Sequence, residues 1–225
     1  MRRPSFRLAL ALIVLAGLAL RLYYALHVMG DHRFSGDGLE FHYLARTLAD
    51  RGAYEQPFPR LGLEVLLRAS NFDDAYRRLA DVHVPTAEKP PLYPSYLAVW
   101  AKLGLASLRW NLAASCFLGA GTVAVVGLVA RRVAGARAGL VAAALAAVYP
   151  GLIVLDGSLR SESLYVLLVA VALLAALRLV ERATWQRAAL LGAAIGLAAL
   201  TRSEAVLLLL LLALPAAWLA GGARR

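Results

Sequence analysis

The chain has 225 residues, 61% of them hydrophobic and 17% charged, against roughly 45–50% and 25% in soluble domains, which excludes an ordinary water-soluble globule. Its net charge is +10, from 24 Lys and Arg against 14 Asp and Glu, but the basic residues mostly flank apolar runs, as cytoplasmic loops of membrane proteins do. Nucleic acid is therefore not an expected partner, and the single cysteine, Cys116, rules out an internal disulfide or a cysteine metal cluster.

Arg2, Arg3 and Arg7 precede an apolar run, residues 8–28, broken only by Arg21 and His27. A signal peptide has a similar plan, but this run is long for one and no small-residue cleavage site follows it. The expectation is an uncleaved first transmembrane helix with a cytoplasmic N-terminus. Arg21, one to two turns from its outer end, is expected to snorkel to the interface.

Residues 29–91 form a large polar loop with ten of the fourteen acidic residues and eight of the twenty-four basic ones. That contrast with the rest of the chain places the loop outside. Within it, Leu39, Phe41, Leu44, Ala45 and Leu48 predict an amphipathic helix ending near Gly52. Phe72, Ala75, Tyr76 and Leu79 predict a second at the same 3–4 spacing, and both are expected to lie along the membrane surface.

Leu92 to Leu108 is apolar but short, about 25 Å at 1.5 Å per residue against a hydrocarbon core of about 30 Å. We read it as a helix that dips in and returns, which sends the next helix, near 110–130, inward and puts Arg131, Arg132 and Arg137 in the cytoplasm. Further crossings follow near 138–154, 163–180, 188–201 and 204–220, leaving Arg178, Arg182, Arg187, Arg224 and Arg225 inside. The fold expected is an all-α, polytopic transmembrane bundle of about six spans, with a large outer loop of juxtamembrane helices. The chain is read as one membrane module, residues 1–225.

This topology collects three polar clusters on the outer face: Asp37 with Glu40 and His42; Lys89; and Asp156, Arg160 and Glu162 with Arg202 and Glu204. A carboxylate there can take a proton from an acceptor hydroxyl, and a lysine or arginine beside it can hold a phosphate. Blander roles compete at each position. Asp37 could cap a helix, Lys89 could pair with Glu88, and Arg160 and Arg202 could only pair with Glu162 and Glu204. Asp37, Glu40 and His42 could ligate a divalent cation, but D-x-x-E-x-H is a weak metal signature, and no cofactor is expected. Tyr93, Tyr96, Trp100 and Trp110 are expected to anchor the interface.

The pattern Gly36-Asp37, Tyr43, Ala45, then Gly52-Ala53-Tyr54, then Lys89-Pro90-Pro91-Leu92-Tyr93-Pro94, resembles the first luminal loop of type C membrane glycosyltransferases. The similarity is to the protein mannosyltransferase and lipid A aminoarabinose transferase group. Tyr149-Pro150 through Ser161-Glu162, and Leu200-Thr201-Arg202-Ser203-Glu204, resemble that family's later segments. The resemblance implies a polyprenyl-phosphate sugar donor and a protein, lipid or cell-wall glycan as acceptor, in a bacterial plasma membrane. It implies Asp37 as catalytic base, Glu162 as a second acidic group, Lys89 as the donor-phosphate contact and Arg202 as a further one. Glu40, His42 and Tyr93 join the candidate substrate-binding set. Members of that group are longer, so the chain matches their N-terminal half, and a second chain could supply the remainder. The competing class is a non-catalytic membrane protein: a lipid-binding or transport component, a scaffold, or an inactive fragment.

Overall fold

The computed structural model describes residues 5–29, 37–58, 68, 71–79 and 82–222. Arg2, Arg3, Asp31, His32, Ser35, Gly36, Glu64, Asp81, Arg224 and Arg225 lie outside the described residues. The described chain is helical, without a strand; one isolated antiparallel bridge joins Glu55 and Pro85.

Helix α1 (Phe6–Tyr23) starts on Ser5, whose hydroxyl accepts from the Leu8 amide, and runs into a π-helical turn, Tyr24–Val28. In the loop, α2 (Asp37–Arg51) ends where Gly52 turns the backbone at φ 68°, the left-handed stop that glycine makes readily. Helix α3 (Phe72–Arg78) starts on an Asn71 cap. Both loop helices fall where the apolar spacing predicts them.

Helix α4 (Leu92–Lys102) has 11 residues, a length of about 16 Å, half of a hydrocarbon core. It is too short to span. Its entry is fixed by Leu92, whose amide donates to the Leu200 carbonyl at 3.0 Å. Phe41, Ala45, Tyr93, Leu97, Leu118, Leu164 and Ala198 share one buried cluster, so the loop helix α2 is packed into the bundle through α4.

Helix α5 (Leu108–Val148) has 41 residues. Straight, it would run about 60 Å, twice the membrane core. It does not run straight: Ala134 and Gly135 leave helical geometry, Gly135 at φ 84°, a conformation costly for a residue with a Cβ. The chain reverses there. A Cβ on Gly127 would sit 3.0 Å from that of Ala143, which places 108–133 and 137–148 side by side. The second arm continues past Pro150 into α6 (Pro150–Asp156).

Helices α7 (Glu162–Glu181) and α8 (Trp185–Ala199) follow, and then an irregular segment: a 3-10 turn at Ser203–Val206, a π turn at Leu209–Ala213, and α9 (Leu214–Gly222). Phe6–Val28, Leu108–Val148, Glu162–Glu181 and Ser203–Gly221 are each long and apolar enough to cross a membrane. The other two expected crossings are the second arm of α5 with α6, and α8, whose 15 residues reach about 22 Å. Large apolar side chains stay exposed along these helices, Leu15, Val133, Leu211 and Trp218 among them. A lipid-facing surface tolerates this, because the tails beside it are equally apolar.

Two expectations are overturned inside the bundle. Arg21 does not snorkel; it is fully buried, with Nε 2.8 Å from Asp156 Oδ2. Its remaining donors reach the carbonyls of Gly17, Ala146 and Ala147 at 3.1, 3.0 and 2.8 Å. The cause lies in Pro150, which has no N–H to offer the Ala146 carbonyl one helical turn back. Arg21 caps that broken helix end and neutralises Asp156, so Asp156 belongs to the interior and not to the exposed polar cluster. Gly119 makes the space: a Cβ there would lie 1.8 Å from Asp156 Oδ2. Tyr93 is likewise no interface anchor. It is fully buried, its hydroxyl 2.7 Å from that of Ser115.

Candidate active site

Lys89 is where the loop closes on itself. Its ammonium lies 2.8 Å from Asp37 Oδ1 and 3.3 Å from Glu40 Oε2, rather than against Glu88. Asp37 is the first residue of α2 and Glu40 stands one turn on, so both carboxylates sit at the positive end of the helix dipole. Tyr54 holds the lysine's backbone, its hydroxyl donating to the Lys89 carbonyl at 2.9 Å. The segments leading there are tied together: the Gln56 amide donates to the Val84 carbonyl at 2.8 Å, and the Thr86 amide to that of Tyr54 at 3.1 Å. The Gly52-Ala53-Tyr54 motif thus sets where Lys89 stands, a role that spacing alone left unassigned.

A second charged group joins the turn between α6 and α7, which carries Arg160 and Glu162, to Arg202 and Glu204 after α8. Arg202 Nη1 is 2.7 Å from Glu162 Oε1, and Arg202 also binds Glu204 at 2.8 Å. Arg160 stands 3.9 Å from the same Glu162 oxygen. The turn is pinned by Leu159, fully buried at φ 51°, a left-handed value that costs a branched side chain of order 1–3 kcal/mol. Its packing against Ala25, Leu112 and Cys116 compensates, and the turn keeps Ser158, Arg160 and Glu162 outside the core. The two groups meet at Gly38, where a Cβ would lie 2.8 Å from the Ser158 carbonyl.

Electrostatics tie them further. The hydrogen bond from Lys89 holds the Asp37 carboxyl below its ordinary 3.8; partial burial opposes this, and the Lys89 and Arg160 charges add to it. Partial burial works against the charge on Lys89, but Asp37 and Glu40 outweigh it and its pKa rises above 10.5. The resting site therefore holds a charged Lys89 against an ionised Asp37, with the Glu40 carboxyl beside them.

His42 and Tyr93 point elsewhere. His42 is buried, with Nδ1 2.8 Å from Asn111 Nδ2, so its ring accepts from the amide. It does not join Asp37 and Glu40, and no cluster of three metal-ligating side chains occurs among the described residues. Burial pushes the His42 imidazole down from 6.5 to about 4, with the Arg46 charge adding to it and Asp73 opposing. The unfolded chain takes the proton near pH 6.5 while the native state stays neutral to about pH 4, so stability is present above 6.5 and lost as pH falls. The loss reaches about 3 kcal/mol by pH 4 at 1.36 kcal/mol per unit. Thermal unfolding of His42→Gln between pH 7 and 4 is expected to give the flatter profile; equal slopes would rule the histidine out as the cause.

Residues 88–225, more than half of the chain, match the dolichyl-phosphate-mannose-protein mannosyltransferase family. The chain belongs to this family. The match contains Lys89, Arg160, Glu162 and Arg202, while Asp37 and Glu40 precede it. No curated protein matches the chain. As a member of the mannosyltransferase family, the chain is an integral membrane protein of a glycosyltransferase lineage, and its charged cluster is the candidate active site.

Proposed function

We propose that the chain forms the donor-handling face of a glycosyltransferase that moves a sugar from a polyprenyl phosphate to an acceptor hydroxyl or amine. The acceptor attacks the anomeric carbon and the bond from that carbon to the phosphate oxygen breaks. The acceptor proton passes to Asp37, and the lipid phosphate leaves with its added negative charge beside Lys89. Arg160 and Arg202 carry further positive charge to the same mouth, and Glu162 orients them. His42 and Tyr93 serve the site through the packing of α2 and α4.

The observation that carries this reading is Lys89 lodged between Asp37 and Glu40 at 2.8 and 3.3 Å. A carboxylate held down by an ammonium is a poor base. An arriving phosphate draws the ammonium toward itself, and the freed Asp37 becomes more basic as the acceptor must lose its proton. Donor binding would thereby switch on the base. The charge asymmetry of the two bundle ends supports an outward orientation for the loop 29–91, with both termini cytoplasmic.

The test is sugar transfer from a labelled polyprenyl-phosphate donor in membranes holding equal amounts of wild type and Lys89→Ala. Lys89→Ala is expected to raise the donor KM and lower transfer about 10²-fold or more, the scale of one lost charge contact to a leaving group. Wild-type protein that is folded and inserted yet transfers nothing would favour the scaffold reading instead.

A further inference from the structure

At the end of the bundle opposite Lys89, a cavity of about 330 Å³ is lined by Leu128, Arg131, Arg132 and Arg178. Three of its four lining residues are arginines. Arg132 is matched by Glu181, with Nη1 2.5 Å from both carboxylate oxygens. Arg131 is held differently: its guanidinium lies 4.3 Å above the Phe6 ring, which fixes its direction without cancelling its charge. The Arg178 side chain has no acidic partner among the described residues. Arg7, Arg137, Arg182 and Arg187 gather at the same helix ends, where Glu181 is the one carboxylate the sequence supplies. So dense a positive charge calls for an anion.

An adjoining feature indicates what kind. An apolar groove of about 290 Å³ runs along the same helices, lined by residues that include Val129, Val133, Leu177, Val180, Leu212 and Leu219. Val129 and Val133 stand three before and one after Arg132, and Leu177 directly precedes Arg178, so the groove and the arginine cavity lie at the same level of α5 and α7. A soluble anion has no use for the groove, and a neutral lipid has none for the arginines. We propose that this end of the bundle is a binding site for an anionic phospholipid, its phosphate among Arg131, Arg132 and Arg178 and one acyl chain along the groove. Lys89 lies beyond the far end of α7, so the site is separate from the catalytic cluster and stands whether or not sugar transfer is detected.

The test uses the full chain in detergent with added phosphatidylglycerol, phosphatidylcholine or inorganic phosphate, reading lipid retained by native mass spectrometry and the thermal midpoint. Wild type is expected to retain phosphatidylglycerol over phosphatidylcholine. Arg178→Gln is expected to weaken that retention about fivefold, the scale of one arginine near an anionic surface, with Arg178→Lys recovering most of it. Leu177→Trp fills the groove without touching charge and is expected to lower retention too. Its response also decides the matter if Arg178→Gln fails to fold. Equal protection by inorganic phosphate, or phosphatidylglycerol retention unchanged in Leu177→Trp, overturns the proposal.

Discussion

Asp37→Asn is expected to lower sugar transfer about 10²–10⁴-fold, the range of a lost general base, while leaving the donor KM no higher than wild type. Asparagine keeps the shape of the side chain and its place at the head of α2, so the fold should not change. Lys89 retains Glu40 at 3.3 Å and, with one counter-charge gone, is freer for phosphate. The two site variants should therefore split: Asp37→Asn acts on kcat, Lys89→Ala on donor KM. The pH profile adds a second signature. In the free enzyme Lys89 holds Asp37 below 3.8, so the acid limb of kcat/KM falls below the ordinary carboxylate range. In the donor complex Lys89 has turned to phosphate, and the acid limb of kcat moves upward. Near-normal kcat in Asp37→Asn, or identical limbs in both profiles, would remove Asp37 from the role of base.

Asp156→Ala is the change expected to cost the most stability, about 3–5 kcal/mol, because it strands the buried guanidinium of Arg21. Asp156→Asn should cost less, since it still accepts from Arg21 Nε in a space that Gly119 keeps open. Removing both charges in Arg21→Met with Asp156→Ala should recover only part of the loss. The carbonyls of Ala146 and Ala147 would then have no donor, at about 1–3 kcal/mol for each buried unsatisfied group. Unfolding of the four proteins in detergent micelles orders these outcomes. A double variant no more stable than Asp156→Ala would mean that the helix end, and not the ion pair, dominates.

Much of the architecture was legible in the residues. The 3–4 spacing of Leu39, Phe41, Leu44, Ala45 and Leu48 located α2, and Phe72, Ala75, Tyr76 and Leu79 located α3. The shortness of the run after Pro91 marked α4 as a helix that cannot span. The association of Lys89 with the Asp37 segment was also reachable, but only through the family resemblance, since 52 residues separate them. Arg21 and Tyr93 were misread for one reason. Each is a residue type that commonly sits at a membrane interface, and nothing nearby in sequence names a buried partner. Opposite charges inside two separate apolar runs, Arg21 and Asp156, were the available signal, because an ionisable group at membrane depth generally seeks a partner.

Apolar periodicity, proline and glycine placement and charge bias are local properties, and by themselves they determined a helical membrane protein with a polar loop gathered at one end. Which side chains meet is not local. Only the tertiary structure decided that Gly135 folds α5 back on itself, that Arg21 closes the helix end broken by Pro150, and that Lys89 rests between two carboxylates. Each depends on helices distant in sequence approaching within hydrogen-bond reach, where close packing at Gly38 and Gly119 and the cost of an unpaired buried charge select one arrangement.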